Sequence, residues 1–156
     1  MLKARKSSLL ASAAGLRFGI ASARYNTALA DALLEHCVAA LVQAGAKRRD
    51  IEVLRVPGSF EVSAAAARLA RSGRNHCVIG LGVILQGETS HAHHIAGAVA
   101  HGLTQIAIQI EVPTVFGIVT ANNLKQARER CLGLRHNRGR EAAQTAIEMA
   151  RLWKTR

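Results

Sequence analysis

The chain has 156 residues, the size of one domain, and its hydrophobic content of 49% with very few aromatic residues predicts a core of Ala, Val, Ile and Leu. Its three cysteines are odd in number and form no CxxC pair, which argues against a disulfide framework or a zinc site and favours a reducing cytoplasm. No apolar run approaches the ~20 residues that a membrane helix needs. The net charge of +11 indicates an anionic partner, which could be nucleic acid, an acidic surface or a phosphorylated small molecule. Charge alone does not choose between them, but no DNA-reading motif is present.

The first segment, residues 1–16, combines three basic residues with a short apolar run. It faintly resembles a targeting peptide, but its apolar part is short and continues directly into a predicted strand. We therefore expect an N-terminal arm that is mobile or bound to a partner, followed by a single domain over residues 17–156.

The rest of the chain alternates apolar strand-like runs with helical patterns. Strands are predicted at residues 17–22, 51–56, 77–85 and 114–120, and the third run is apolar throughout, as in a central parallel strand that is covered on both faces. A helical pattern follows each strand, and a basic turn at residues 133–139 leads to a last helix. The order βαβαβαβαα predicts an α/β fold, a three-layer sandwich with a four-stranded parallel sheet of the flavodoxin-like type.

The first helix and the residues around it carry more specific expectations. Its buried stripe is predicted from apolar residues at helical spacing: Ala30, Leu33, Leu34, Cys37, Leu41 and Val42. Asn26 is placed to cap this helix, and Tyr25 before it is either a hydrophobic staple or a platform for a ligand. Glu61, in the first turn of the next helix, is expected to complement the helix dipole.

The stretch that follows the third strand is the expected centre of the chemistry. Ligands of parallel α/β sheets bind outside the carboxyl ends of the strands, where helix N-termini present unpaired N–H groups to anions. Gly87 permits close approach of the backbone to a ligand, and Thr89 or Ser90 can cap the following helix. His91, in the first turn of that helix, is suited to proton transfer. Two other interpretations stay open, a solvated helix start and a metal site that uses His91 and His94, which share a helix face.

Motifs at the strand ends and in the last two helices occur in order between residues 17 and 153: Arg24-Tyr25-Asn26, Pro57-Gly58-Ser59-Phe60-Glu61, Gly87-Glu88-Thr89-Ser90-His91, Pro113-Thr114-Val115-Phe116-Gly117-Ile118-Val119-Thr120, Glu129-Arg130 and Asn137-Arg138-Gly139. Together they resemble the 6,7-dimethyl-8-ribityllumazine synthase family. The resemblance implies an enzyme, a transferase, that condenses 5-amino-6-(D-ribitylamino)uracil with 3,4-dihydroxy-2-butanone 4-phosphate to give 6,7-dimethyl-8-ribityllumazine, phosphate and water. This is the penultimate step of riboflavin biosynthesis. It needs no metal or organic cofactor, and its anionic ligand is a phosphate, so nucleic acid is not the expected partner.

The resemblance also implies a role for each residue that matches a family motif. The pyrimidine would be held by an aromatic platform and an apolar wall, formed by Tyr25, Asn26, Ile84 and Leu85. The ribityl chain would be bound by Ser59, Phe60 and Glu61, and the phosphate by backbone N–H groups of Glu88 and Thr89. His91 would be the catalytic proton carrier. A neighbouring subunit would supply Phe116, Arg130 and Arg138, of which Arg130 would pair with the phosphate.

Because one site would then need two chains, the resemblance implies a homopentamer as the basic unit. The turn at residues 133–139 has no insertion relative to the family's sixty-subunit shells, so a capsid and a pair of pentamers are both compatible with it. Some positions depart from the family pattern: Ala92 and His93 stand where relatives have an aromatic and an acidic residue, and Gln86 where Arg is frequent. The non-enzyme alternatives are a flavodoxin-like protein that binds a flavin without turnover and a basic nucleic-acid-binding assembly.

Overall fold

The computed structural model describes residues 11–154. Within this range there are four strands, β1 (Phe18–Ala23), β2 (Ile51–Val56), β3 (Cys77–Leu85) and β4 (Thr114–Ala121). The helices are α1 (Thr27–Gln43), α2 (Val62–Arg71), α3 (His91–Ile110), α4 (Leu124–Leu132) and α5 (Arg138–Lys154), and short 3₁₀ turns at Arg48–Asp50 and Ser59–Glu61 precede β2 and α2. None of the helices in this range is both long enough and apolar enough to cross a membrane.

The four strands form one parallel sheet in the order β2-β1-β3-β4. Helices α1, α4 and α5 pack on one face and α2 and α3 on the other, so the α/β three-layer prediction is confirmed. The connections after β1 and after β2 run in opposite directions across the sheet, which makes the carboxyl ends of β1 and β3 the switch point where ligands of such sheets bind.

The predicted burial of α1 is only partly correct. Four members of the predicted stripe are buried, Ala30, Leu33, Cys37 and Leu41, but Leu34 is half-buried and Val42 is 43% exposed. Leu29 and Val38 are buried instead, so the helix presents a face that is rotated relative to the prediction. The other boundaries shift slightly: β1 begins one residue later than predicted, and the basic turn ends where α5 begins, at Arg138.

Part of the predicted N-terminal arm packs on the domain. Ala13 and Leu16 are buried in the core between the sheet and α1, and the N–H of Ala13 donates to the carbonyl of Ala44 at 2.8 Å. The remainder of the arm, residues 1–10, lies outside the described residues, so its mobility and its partner stay predictions.

The three thiols lie in this core. Cys37, Cys77 and Cys131 are free and buried, and burial raises the pKa of Cys37 to about 12 and that of Cys131 to about 11. A thiol that stays protonated at neutral pH is a weak nucleophile, so these residues contribute to packing and not to chemistry.

His76 connects the amino-terminal ends of the two central strands. Its Nδ1 accepts a hydrogen bond from the N–H of Arg17 at 2.8 Å, and its own N–H donates to the carbonyl of Arg17 at 2.8 Å. Partial burial lowers the pKa of His76, and the positive charges of Arg17 and Lys154 lower it further. The folded protein therefore prefers the neutral ring, which is the form whose Nδ1 can accept.

This shift makes stability depend on pH. In the unfolded chain His76 binds a proton near its ordinary pKa of about 6.5, whereas the folded chain binds it only at lower pH. The stability that depends on neutral His76 is thus fully present above the unfolded pKa of about 6.5. It is lost as the pH falls from there towards the lower pKa of the folded protein. We expect the free energy of unfolding to decrease between pH 7 and pH 5, and to decrease less in His76→Asn, which keeps an acceptor but does not titrate. Denaturant titrations across this range measure how the free energy of unfolding changes with pH in wild type and in His76→Asn. The exposed His101→Asn is the control. An equal pH dependence in wild type and His76→Asn would contradict the assignment.

Candidate active site

The loop after β1 is fixed to the end of the neighbouring strand β2. The N–H groups of Arg24 and Tyr25 donate to the carbonyls of Val56 and Pro57, at 2.8 and 2.9 Å, and so tie the loop to the end of β2. The side chain of Tyr25 is 73% exposed and stands at the carboxyl edge of the sheet. A rigid backbone with an exposed ring is what a stacking platform requires.

Asn26 occupies the position before α1 that was predicted, but its side chain does not cap the helix. The residue is in the left-handed conformation, with φ of 60°, which asparagine tolerates better than most residues. In this conformation its Nδ2 donates to the carbonyl of Val83 in β3 at 3.0 Å. Asn26 therefore joins the β1 loop to β3 across the switch point. The capping prediction is wrong because a side-chain cap normally has an extended backbone, whereas Asn26 is left-handed.

The 3₁₀ turn Ser59–Glu61 forms the next wall. Ser59 is buried against β3, where a Cβ at position 82 would collide with its hydroxyl, so Gly82 is needed for this close approach. The ring of Phe60 is 63% exposed. The Oε2 atom of Glu61 accepts from the N–H of Gly58 at 2.9 Å, and no group in residues 11–154 donates to its Oε1. The carboxylate is thus held in place by one oxygen while the other is free to accept from a ligand.

The loop between β3 and α3 presents free backbone donors. The N–H groups of Glu88, Thr89 and Ser90 have no hydrogen-bond partner among the described residues. Ser90 stands at the predicted cap position without a side-chain cap bond, whereas the Thr89 hydroxyl accepts from the N–H of His91 at 3.4 Å. Unpaired N–H groups at the start of a 20-residue helix favour an anion.

These elements enclose one cavity of about 960 Å³. Its lining contains most of the residues predicted for the substrate site: Tyr25, Asn26, Ser59, Phe60, Glu61, Ile84, Leu85, Thr89 and His91. Glu88 is exposed and its loop neighbours line the cavity, but Glu88 itself does not. The predicted pyrimidine, ribityl and proton-transfer residues are therefore brought together in a single chain.

The remaining predicted residues lie elsewhere. Phe116 is in β4 opposite Gly80, four residues before Thr120, which pairs with Ile84. It packs in the same apolar cluster as Ile84 but does not line the cavity. The guanidinium of Arg138 donates to the carbonyl of Phe116 at 3.0 Å. Arg130 lies on α4 beside a second cavity of about 420 Å³. Within one chain, these three residues do not reach the first cavity.

Of the cavity residues that the sequence interpretation did not assign to the substrate site, His94 is the one with a titratable side chain. It lies one turn after His91 on the same face of α3, and both residues line the cavity. The i, i+3 spacing of His91 and His94 is visible in the sequence, where it indicated only a metal site as one interpretation. His93 is exposed and does not line the cavity. Among residues 11–154, no three His, Cys, Asp or Glu side chains are placed to hold a metal ion together.

Comparisons with known proteins show the family of the chain. The family model described as 6,7-dimethyl-8-ribityllumazine synthase matches residues 15–154. A 6,7-dimethyl-8-ribityllumazine synthase of Aquifex aeolicus (strain VF5) is 45% identical over 144 residues, which cover 92% of this chain and 93% of the relative. The chain therefore belongs to the 6,7-dimethyl-8-ribityllumazine synthase family.

Proposed function

We propose that this protein is a lumazine synthase, a transferase that condenses 5-amino-6-(D-ribitylamino)uracil with 3,4-dihydroxy-2-butanone 4-phosphate in riboflavin biosynthesis. Family membership supports this activity, and so does the identity with a relative of that name. The observation that carries the proposal is the single cavity that combines an aromatic platform, a half-free carboxylate, unpaired backbone donors and a histidine.

The cavity suggests a place for each part of the two substrates. The pyrimidine stacks on the exposed ring of Tyr25 and packs against Ile84 and Leu85. The ribityl chain extends along Ser59 and Phe60, and its hydroxyls donate to the free oxygen of Glu61. The phosphate binds to the N–H groups of Glu88 and Thr89, because the helix start is the part of the lining that favours an anion.

The reaction consists of proton transfers between oriented reactants. The 5-amino group attacks the ketone, and water leaves to form an imine. Phosphate is then eliminated, and the ribitylamino nitrogen closes the second ring with loss of another water. His91 moves protons in these steps, which is typically worth about 10²–10⁴ in rate, while holding the two substrates side by side supplies a further acceleration. No metal or organic cofactor takes part.

A neighbouring chain completes the site. Phe116, Arg130 and Arg138 do not line the cavity of their own chain, which supports their acting in the cavity of another. The unit is then a homopentamer, alone, paired or in a sixty-subunit capsid. Light scattering on the active protein should give a mass several times that of the 16.6 kDa chain, and a monomeric active species would exclude the shared site.

Three buried free thiols support a cytoplasmic location.

The activity is tested by mixing the purified protein with both substrates and following the lumazine chromophore. We expect its appearance together with release of phosphate, and no chromophore when either substrate is omitted. Binding of the pyrimidine or of a flavin without turnover would favour the flavodoxin-like binding protein instead. Strongly salt-dependent binding of nucleic acid without lumazine formation would favour the basic assembly.

A further inference from the structure

Gln86, the residue that follows β3, is bound both to the sheet and to the loop that starts α3. Its backbone N–H donates to the carbonyl of Ala121, the last residue of β4, at 2.8 Å. Its side-chain Nε2 donates to the carbonyls of Gly87 and Thr89, at 3.2 and 3.0 Å. One side-chain amide with two hydrogens thus satisfies two carbonyls of the loop, while the sheet holds the backbone of the same residue.

These two bonds fix the direction of two backbone donors. The C=O and N–H of a planar trans peptide point in opposite directions, and there is no cis peptide in the described chain. The carbonyl of Gly87 shares its peptide unit with the N–H of Glu88, and the carbonyl of Thr89 shares its unit with the N–H of Ser90. By drawing both carbonyls to one side, the Gln86 amide turns the N–H groups of Glu88 and Ser90 to the other.

The position of Gln86 indicates that it acts from behind the loop. Gly87 and Thr89 line the cavity, whereas Gln86 is exposed and does not. The N–H groups that it orients have no partner among the described residues, so they are available to a ligand. A glutamine used only for solubility would not need two hydrogen bonds to the loop that carries these donors.

We propose that Gln86 is a positioning residue for the phosphate subsite. It orients the backbone N–H of Glu88, one of the two donors assigned to the phosphate above, and the neighbouring N–H of Ser90, without contacting the substrate. This inference rests on the proposed function, since that function brings a phosphorylated substrate to the loop. Its consequence is a selective one: loss of the Gln86 amide affects the phosphorylated substrate and leaves the pyrimidine, which binds at the other end of the cavity, unaffected.

The test is Gln86→Met, which keeps the length of the side chain and removes both donors. Gln109→Met is the matched control, because Gln109 is an exposed glutamine of α3 whose Nε2 donates to the Gln105 side chain, away from the cavity. Calorimetric titration of each assembled protein with inorganic phosphate should show binding weakened about three- to tenfold in Gln86→Met and unchanged in Gln109→Met. The KM for the butanone phosphate should rise by the same factor, with pyrimidine binding, kcat and the melting temperature close to wild type.

The outcomes separate this inference from the proposed function. If Gln86→Met binds phosphate as tightly as wild type, or loses phosphate and pyrimidine binding equally, the positioning role is overturned. If the wild-type protein nevertheless forms lumazine from the two substrates, the proposed function stands although the positioning role is overturned. If wild type neither binds phosphate nor forms lumazine, both are overturned together.

Discussion

Replacement of His91 by alanine should lower kcat by at least about tenfold while the protein stays folded, since general acid–base groups typically contribute about 10²–10⁴ in rate. His91 lines the cavity at the first position of α3, and its side chain is exposed and contributes nothing to the core. Alanine is also the best helix former, so the start of α3 should persist. Steady-state rates at saturating concentrations of both substrates measure the effect.

His93→Ala is the matched control for this prediction. It makes the same change two residues away on the same helix, at a side chain that does not line the cavity, so its kcat should equal that of wild type. His94→Ala examines the remaining candidate, because His94 does line the cavity. A kcat unchanged in His91→Ala but reduced in His94→Ala would move the proton-transfer role to His94.

The second large effect is expected at Arg130. Arg130→Ala should raise the KM for the butanone phosphate about ten- to hundredfold, because a hydrogen-bonded ion pair to one substrate is lost, and should leave pyrimidine binding nearly unchanged. Arg130 is exposed on α4, so its removal should not disturb folding. Arg128→Ala, an exposed arginine of the same helix outside the second cavity, controls for the general loss of positive charge. Equal losses for both substrates in Arg130→Ala would mean that Arg130 is structural.

The sheet was predictable because its strands carry the information in their own composition. Eight of the nine residues of β3 are buried, and its bounds and those of β2 agree with the sequence pattern. The buried face of α1 was harder to predict than the strands, because apolar residues lie around much of that helix. Leu29 and Val38 compete with Leu34 and Val42 for the core, and the packing of α1 against α5, α4 and the sheet decides between them.

The cavity was predicted well where motifs follow strand ends, and less well where side chains act over longer distances. The sequence placed Asn26 next to α1, where an asparagine usually caps, and gave no signal that its amide reaches Val83 in β3. Gln86 was noted only as a departure from the family pattern, because its bonds to Gly87 and Thr89 depend on the loop conformation. His94 was considered only as a metal ligand, although its spacing from His91 was sufficient to place both on one face.

The central claim is that one active site combines the cavity of one chain with Arg130 of another. The most direct test coexpresses His91→Ala with Arg130→Ala and measures lumazine formation by the mixed assemblies at a butanone phosphate concentration well below saturation. A site is intact when its cavity carries His91 and its neighbour carries Arg130. Random mixing in a ring with head-to-tail contacts makes about a quarter of the sites intact. We predict activity near a quarter of wild type, far above that of either variant alone. Activity that stays at the mean of the two variants would contradict the claim, because His91 and Arg130 would then have to belong to the same chain.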